Sequence, residues 1–464
     1  MKKEDFKGKK ITVMGIGLHG GGVATVRFFA ESEAKVIATD MKSEKELKPS
    51  LEKLKDLKNV IFVLGQHRME DFTNVDMVVK GPAVPWISKH IQAALKKKIP
   101  VEMDSSIFFK LCKLPIIGVT GTKGKTTTAT LIAEILKNAG KNVFTAGIGQ
   151  KPVLNILDEI GEEKKGIVVF EISSWRLSAL GRAGLGPHVA VITNIFPDHL
   201  NYYGTMEKYI ADKKYIFSAQ KPSDYAVLNY DDESIRGLAD EIKSKIIFFS
   251  ALKSDLDSCV FIEKGKINCK KNGELNVICD INSIRLRGGH NLYNVLAAVG
   301  AAIAYGVAPE KICEAVKNFK GVPHRLELVR ELDKVKYYND TAATVPDAAI
   351  AGIDSFPGNI TLIAGGADKN LDFKEFAKCI SEKVKRVIFL KGGATEKIKN
   401  ELKKIGAEKI IDSEFSSMEK AVIRAKNISG PGDIVFLSPG AASFGLFLNE
   451  FDRGDKFREA VGKL

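Results

Sequence analysis

Apolar and polar positions along this chain follow two periods that keep replacing each other. Short apolar runs bounded by glycine, proline or acidic residues read as buried strands, and stretches with apolar residues three and four apart read as one-faced helices. Strands are expected from Lys10 to Met14, Val36 to Thr39, Val60 to Leu64 and Asp76 to Val79, with helices over Val23 to Ala30 and Ile87 to Lys97. A strand Pro115 to Val119 precedes a helix Thr127 to Leu136, and further strands end at Glu171 and just before Asp198-His199. A helix is expected over Thr205 to Ala219 and another from Gly289 through Ala304. Residues 224 to 286 hold strand-like pieces and turns such as Lys271-Asn272-Gly273, which suggests an antiparallel edge or hairpin region. The last third offers strands within Leu326 to Tyr338, then Ile360 to Ala364, Arg386 to Leu390, Lys409 to Ile411 and Asp433 to Leu437, with a helix Pro346 to Asp354.

Strand–helix alternation of this kind predicts an α/β fold with parallel, doubly wound sheets. At 464 residues the chain is too long for one core, and ordinary domain size implies about three. The pattern places them at 1–103 (Rossmann-like), 104–321 (P-loop ATPase-type) and 322–464 (Rossmann-like).

Composition narrows the function classes. The chain is 45% hydrophobic and carries a net charge of +13. Much of that charge is lysine on helix faces mixed with glutamate, and no basic block is interleaved with aromatics. Anionic small substrates fit this better than nucleic acid. The six cysteines form no CxxC pair, which suits free thiols in a reducing compartment. No run approaches about 18 apolar residues and the N-terminus lacks an apolar leader, so a cytoplasmic protein without a membrane partner is expected.

Three motifs carry chemistry. The first is Gly121-Thr122-Lys123-Gly124-Lys125-Thr126-Thr127, lying between a strand and a helix. Its glycines let backbone N–H groups surround an anion at a helix N-terminus. Lys125 can reach the outer phosphates of a nucleotide, and the Thr126 hydroxyl can ligate Mg²⁺. Only two residues separate Gly121 from Gly124, against four in the usual P-loop. The second is Gly15-x-Gly17-x-x-Gly20 after the first strand, with Asp40 at the end of the next. Alone, it supports a dinucleotide-binding oxidoreductase; such a turn equally accepts the diphosphate of a uridine diphosphate sugar, with Asp40 accepting a hydroxyl or N–H. Gly17, Leu18, His19 and Asp40 are therefore candidates for a nucleotide-sugar site. The third is a set of groups at strand ends, Glu171 and His199, which with Thr126 could converge on Mg²⁺ bridging phosphates. Spacing does not select among Lys208, Lys213 and Lys214, nor decide whether Asn291 is a ligand or a first-turn helix residue.

Taken together, Gly121-Thr-Lys-Gly-Lys-Thr-Thr, Phe170-Glu171-Ile-Ser-Ser, Thr193-Asn194 to Asp198-His199, Gly289-His290-Asn291, Pro323-His324-Arg325 and Asn339-Asp340 resemble the Mur ligases, ATP-dependent amide-bond-forming enzymes of cell-wall synthesis. These motifs occur in family order across nearly the whole chain. The N-terminal glycine-rich domain and Ser438-Pro-Gly-Ala-Ala-Ser443-Phe are most similar to members that add D-glutamate to UDP-N-acetylmuramoyl-L-alanine. The resemblance implies ATP and two Mg²⁺ sites. Gly121 to Thr127 would hold the phosphates; Asn291, Arg325 and Asp340 would contact ATP. Thr126, Glu171, His199 and a carbamylated Lys213 would hold metal, with Lys125, His199, Lys213 and Arg325 catalytic. Ser173 would face the acceptor, and Lys369 and Ser443 the incoming glutamate. A monomer that closes its domains around substrate is expected.

The chain departs from the family pattern near substrate. It reads Asp340-Thr-Ala-Ala-Thr-Val345 where the family often has a lysine, Ala146-Gly-Ile-Gly-Gln150 without an asparagine, and Ser173-Ser-Trp-Arg176 in place of Ser-Ser-Phe-Gln. Alternatives are a related ligase using L-glutamate or another acceptor such as a folate, a nicotinamide-dependent oxidoreductase, and a nucleotide-binding module without catalysis.

Overall fold

The computed structural model describes every residue except 19, 150, 253, 254 and 272, and every described side chain except that of 201. Among the described residues the strands form three sheets, each in its own α/β domain. The first holds β1 (Lys10–Met14), β2 (Lys35–Asp40), β3 (Val60–Leu64), β4 (Met77–Lys80) and β5 (Val101–Glu102), ordered β3-β2-β1-β4-β5 and parallel throughout.

The second sheet is built from β6 (Ile116–Thr120), β7 (Val143–Ala146), β8 (Ile167–Glu171), β9 (Val189–Ile192), β10 (Tyr225–Asn229), β11 (Lys245–Ser250), β12 (Cys259–Glu263), β13 (Lys266–Lys271) and β14 (Glu274–Asp280). Its order is β14-β13-β12-β11-β10-β9-β6-β8-β7. The strands from β7 to β12 are parallel, and β13 and β14 add an antiparallel edge. The expected hairpin region is thus real but confined to its second half, since β10 and β11 continue the parallel core.

The third sheet comprises β15 (Glu327–Leu332), β16 (Val335–Asn339), β17 (Ile360–Ala364), β18 (Val384–Leu390), β19 (Ile411–Phe415) and β20 (Ile434–Leu437), ordered β15-β16-β20-β17-β18-β19. The strand expected at Lys409 to Ile411 starts instead at Ile411, after a 3₁₀ turn Glu408–Ile410. Every residue of this edge strand is half-buried, so no apolar run marks it.

The three domains form two compact units. One covers residues 1–284 and 293–317, the other 285–292 and 318–464. In the first unit a large apolar core runs from Phe6 through Phe108 to Leu238, and a smaller separate one gathers Met14, Phe72, Val78 and Ile91. The helix Asp104–Leu111, which the apolar pattern did not reveal, carries Phe108 to within 5.5 Å of Phe170, ring to ring. The second unit has separate cores on the two faces of its sheet, around Phe389 and Phe436 on one side and Val435 and Phe457 on the other.

Candidate functional site

The phosphate-loop candidate connects β6 to the helix Lys125–Asn138. Gly121 and Gly124 have φ of +146° and +82°, and neither position has room for a side chain. A Cβ at Gly121 would lie 1.9 Å from Thr193 Oγ1, and one at Gly124 would lie 2.0 Å from Asn294 Oδ1. Glycine is required twice over, by backbone conformation and by space. The end of β9 straps the loop in place. Thr122 N donates to Asn194 O at 2.9 Å, Lys123 N donates to Asn194 Oδ1 at 2.8 Å, and Thr193 Oγ1 donates to Lys123 O at 2.7 Å. Lys125 Nζ donates to the carbonyls of Gly121 (3.1 Å) and Thr122 (2.9 Å), folded over the loop that carries it. Thr126 is half-buried in the first turn, and Thr127 is buried.

Beside this loop the sheet sets out the metal-ligand candidates. Glu171 ends β8 in register with Val119 of β6, and its carboxylate makes no hydrogen bond or ion pair among the described residues. An oxygen donor left open next to a phosphate loop suits Mg²⁺, which keeps water and takes one or two carboxylates plus phosphate oxygens. The described residues contain no cluster of three or more histidine, cysteine or acidic ligands. His199 has φ of +53° at the start of the helix Leu200–Tyr203, and its ring centroid lies 4.8 Å from that of Trp175. Burial, chiefly, and the charges of Lys125, Lys213 and Lys123 lower its pKa against the pull of Asp198. That favours the neutral imidazole a metal needs.

Lys213 sits in the helix Met206–Ser218, 1% exposed, with Nζ 4.5 Å from the centroid of the Tyr209 ring. Burial first, then the neighbouring charge of Lys125, pushes its pKa down to about 7. Of the three lysines on this helix, Lys213 alone is buried. Near neutrality a substantial share of the amine is therefore unprotonated, and only the unprotonated nitrogen carries a lone pair able to react with carbon dioxide.

Two sequence departures acquire physical roles here. Trp175 packs against His199 with the two rings tilted by 42°, and its indole N–H is buried without an acceptor among the described residues. Arg176 grips Asp104 with two bonds, Nε to Oδ1 at 3.1 Å and Nη2 to Oδ2 at 2.7 Å. Ser173 caps the helix Ser174–Ala183, accepting from Arg176 N at 3.4 Å.

In the first sheet, Gly15, Gly17 and Gly20 all adopt positive φ. Asp40 is buried and its carboxylate accepts three backbone amides, Ile16 N and Gly17 N on Oδ2 and Lys42 N on Oδ1, each at 2.9 Å. Read from sequence as a ligand acceptor, Asp40 here organises the glycine-rich turn itself. Leu18 is 49% exposed at the tip of the turn, and His19 lies outside the described residues.

The remaining candidates belong to the second unit. Asn291 Nδ2 donates to Arg287 O at 2.6 Å. Arg325 is exposed, whereas Asp340 is buried at the end of the β16 segment. Ser438 Oγ donates to Asp340 Oδ2 at 3.0 Å and Leu326 N to Oδ1 at 3.2 Å, yet burial dominates and pushes the carboxyl pKa up to about 7. Exposed Lys369 and buried Ser443 lie on segments joined by a bridge between Ala367 and Ala442, and Lys369 Nζ is 5.7 Å from the Phe444 ring centroid. Sequence reasoning missed Arg453. An arginine on an amphipathic terminal helix reads as solvent-facing, but this one is fully buried. Its guanidinium donates to Thr341 Oγ1 (2.9 Å), Thr341 O (3.0 Å) and Ala441 O (3.1 Å), tying the segment after Asp340 to the one before Ser443.

Comparison with known proteins extends this picture. Family models described as Mur ligase MurD-like N-terminal domain, Mur ligase middle domain, and Mur ligase, glutamate ligase domain match residues 9–102, 119–302 and 324–440. The UDP-N-acetylmuramoylalanine–D-glutamate ligase of Roseiflexus sp. (strain RS-1) is 44% identical over 461 residues, covering 98% of each chain. The ligases of the same name from Pelotomaculum thermopropionicum (99% of this chain, 98% of that protein) and Borreliella afzelii (100% of both) are each 39% identical. Among solved structures, the fold is similar to UDP-N-acetylmuramate-alanine ligase from Thermotoga maritima, with a TM-score of 0.60, 21% identity and coverage of 98% and 99%. It is also similar to MurF ligase from Thermotoga maritima in complex with ADP, with a TM-score of 0.59, 17% identity and coverage of 100% and 97%. At these identities the structural likeness concerns the fold alone.

Proposed function

The chain belongs to the Mur ligase family, and from that premise we propose that it joins D-glutamate to UDP-N-acetylmuramoyl-L-alanine at the expense of ATP, in peptidoglycan precursor synthesis. The observation that carries the reading is the strapped loop of Gly121 to Lys125, with Glu171, His199 and buried Lys213 in the same domain. In this reaction the acceptor carboxylate takes the terminal phosphoryl group of ATP and becomes an acyl phosphate. The glutamate amine then attacks the acyl carbon, and phosphate leaves with the carbon–oxygen bond electrons as the amide forms.

The protein's contribution is positioning and charge neutralisation. Lys125, whose Nζ reaches the carbonyls of Gly121 and Thr122, would turn to phosphate oxygens of ATP. Thr126 and Glu171 would hold one Mg²⁺, and His199 with carbamylated Lys213 a second. When bound, Mg²⁺ supplies neutralisation of the phosphate charge. A carbamate on Lys213 replaces a buried cation by an anion, which removes repulsion with Lys125 and creates an oxygen donor. Arg325 would meet phosphate, and Lys369 and Ser443 the glutamate carboxylates.

Phosphate release in the presence of ATP and Mg²⁺ tests the reading. Release is expected only when UDP-N-acetylmuramoyl-L-alanine and D-glutamate are both present. Release with L-glutamate instead, or none with either enantiomer in protein that binds ADP, overturns the substrate assignment.

A further inference from the structure

The charge at the edge of the first sheet points to a part of the acceptor site that none of the recognised motifs includes; this inference rests on the reading above. In the order β3-β2-β1-β4-β5 the chain reverses direction between β1 and β4. Ligands of open parallel sheets settle outside the carboxyl ends of strands at such a reversal. There β1 runs into the Gly15 to Gly20 turn, while β4 ends at Lys80, in register with Met14. The two turns touch: Gly81 N donates to Met14 O at 2.7 Å, and a Cβ on Gly15 would lie 3.8 Å from Gly81 Cα.

Lys80 is 2% exposed, and its Nζ donates to Val84 O at 2.9 Å. It forms no ion pair among the described residues, and burial pushes its pKa down to about 8. Its Nζ also lies 4.6 Å from the centroid of the Trp86 ring, and the guanidinium carbon of Arg182 lies 4.3 Å from the same centroid. Trp86 is pinned in turn, its Nε1 donating to Ser178 Oγ at 2.7 Å. Two cations are thus gathered on one indole beside a turn shaped for phosphate. Cation–π attraction offsets only about 0.5–2 kcal/mol per cation. The nearby carboxylates balance this charge only in part: Asp104 is gripped by Arg176, and half-buried Asp212, its pKa raised to about 6 chiefly by burial, is one carboxylate facing both Lys80 and Arg182. The arrangement carries more positive than negative charge.

We propose that Lys80 and Arg182, held against Trp86, bind the diphosphate of the acceptor nucleotide. The amides of the glycine-rich turn donate neutral hydrogen bonds, and Lys80 and Arg182 add the charge that distinguishes a nucleoside diphosphate from an uncharged sugar.

The test is calorimetric titration of the full chain with UDP and, separately, with ADP. Wild-type protein that binds ADP but neither UDP nor the acceptor overturns the functional reading and this inference together. Given UDP binding by wild type, Lys80→Met and Arg182→Gln are each expected to weaken it about tenfold or more, the loss of one charge-assisted contact, while ADP affinity holds. The KM for the acceptor rises in step, and kcat at saturating acceptor changes less. Lys80→Arg recovers part of the loss. Unchanged UDP affinity in both variants overturns the inference and leaves the ligase reading standing. Should Lys80→Met fail to fold, exposed Arg182 decides: UDP affinity lost in Arg182→Gln supports the inference, and affinity retained sinks it.

Discussion

Lys213 and Asp340 show how burial turns ordinary side chains into specialised ones. Each is a charged residue placed where water is excluded, and each titrates near neutrality for that reason. If Lys213 carries a carbamate, enzyme equilibrated with ¹³C-bicarbonate should give a carbamate carbonyl resonance that Lys213→Met lacks. That variant should retain ADP binding and lose ligase activity by about 100-fold or more, the scale of an essential active-site group. Asp340 makes a stability prediction. Its carboxyl has a folded-state pKa of about 7 against 3.8 ordinarily, so the folded chain holds a proton that the unfolded chain releases across that window. Its contribution to stability is present at low pH and is lost as pH rises from about 4 to 7. Asp340→Asn should flatten that slope in denaturant melts recorded across the window; an unchanged slope would mean the carboxyl is ionised in the fold.

Among the elements, the phosphate loop and the terminal helix contrast in how much local sequence says. The loop was legible because its constraint is backbone conformation, which glycine alone meets at Gly121 and Gly124. Gly124→Ala should abolish detectable ADP binding while the second unit melts as in wild type, because the added methyl collides with Asn294 inside one domain. Asn294 itself carried no signal, since its part depends on which loop it meets. The helix Glu450–Gly462 hides Arg453, whose three acceptors come from residues 341 and 441. Arg453→Met should destabilise the fold by about 2–4 kcal/mol by leaving buried carbonyls without donors. A chemical-denaturation midpoint close to wild type would show those carbonyls satisfied otherwise.

On the scale of the whole molecule, three sheets are gathered into two units with separate cores. Independent cores unfold as independent cooperative units when little else couples them. Scanning calorimetry should therefore resolve two transitions, with ADP raising the one that belongs to residues 1–284 and 293–317, where the phosphate loop lies. One transition shifting as a whole would make the chain a single cooperative unit. Among the described residues no helix is long and apolar enough to cross a membrane.

The sequence by itself determined the α/β class, most strands of the parallel core and the phosphate loop, because each is written in short-range terms: apolar runs, period, and glycine where only glycine fits. It also placed Glu171 at a strand end; His199, expected at the end of another, instead precedes the helix Leu200–Tyr203, seven residues after β9 ends at Ile192. What only the tertiary structure decided depends on distant partners. Three lysines on one helix looked alike until packing buried Lys213 and left it near Lys125. That Asp40 braces the glycine-rich turn shows only where the amides of Ile16 and Gly17, in the turn after β1, reach its carboxylate. Lys80 ended a strand like many others until Trp86 and Arg182 closed around it. Burial and electrostatic neighbourhood are sums over the fold, and no local window of the chain contains them.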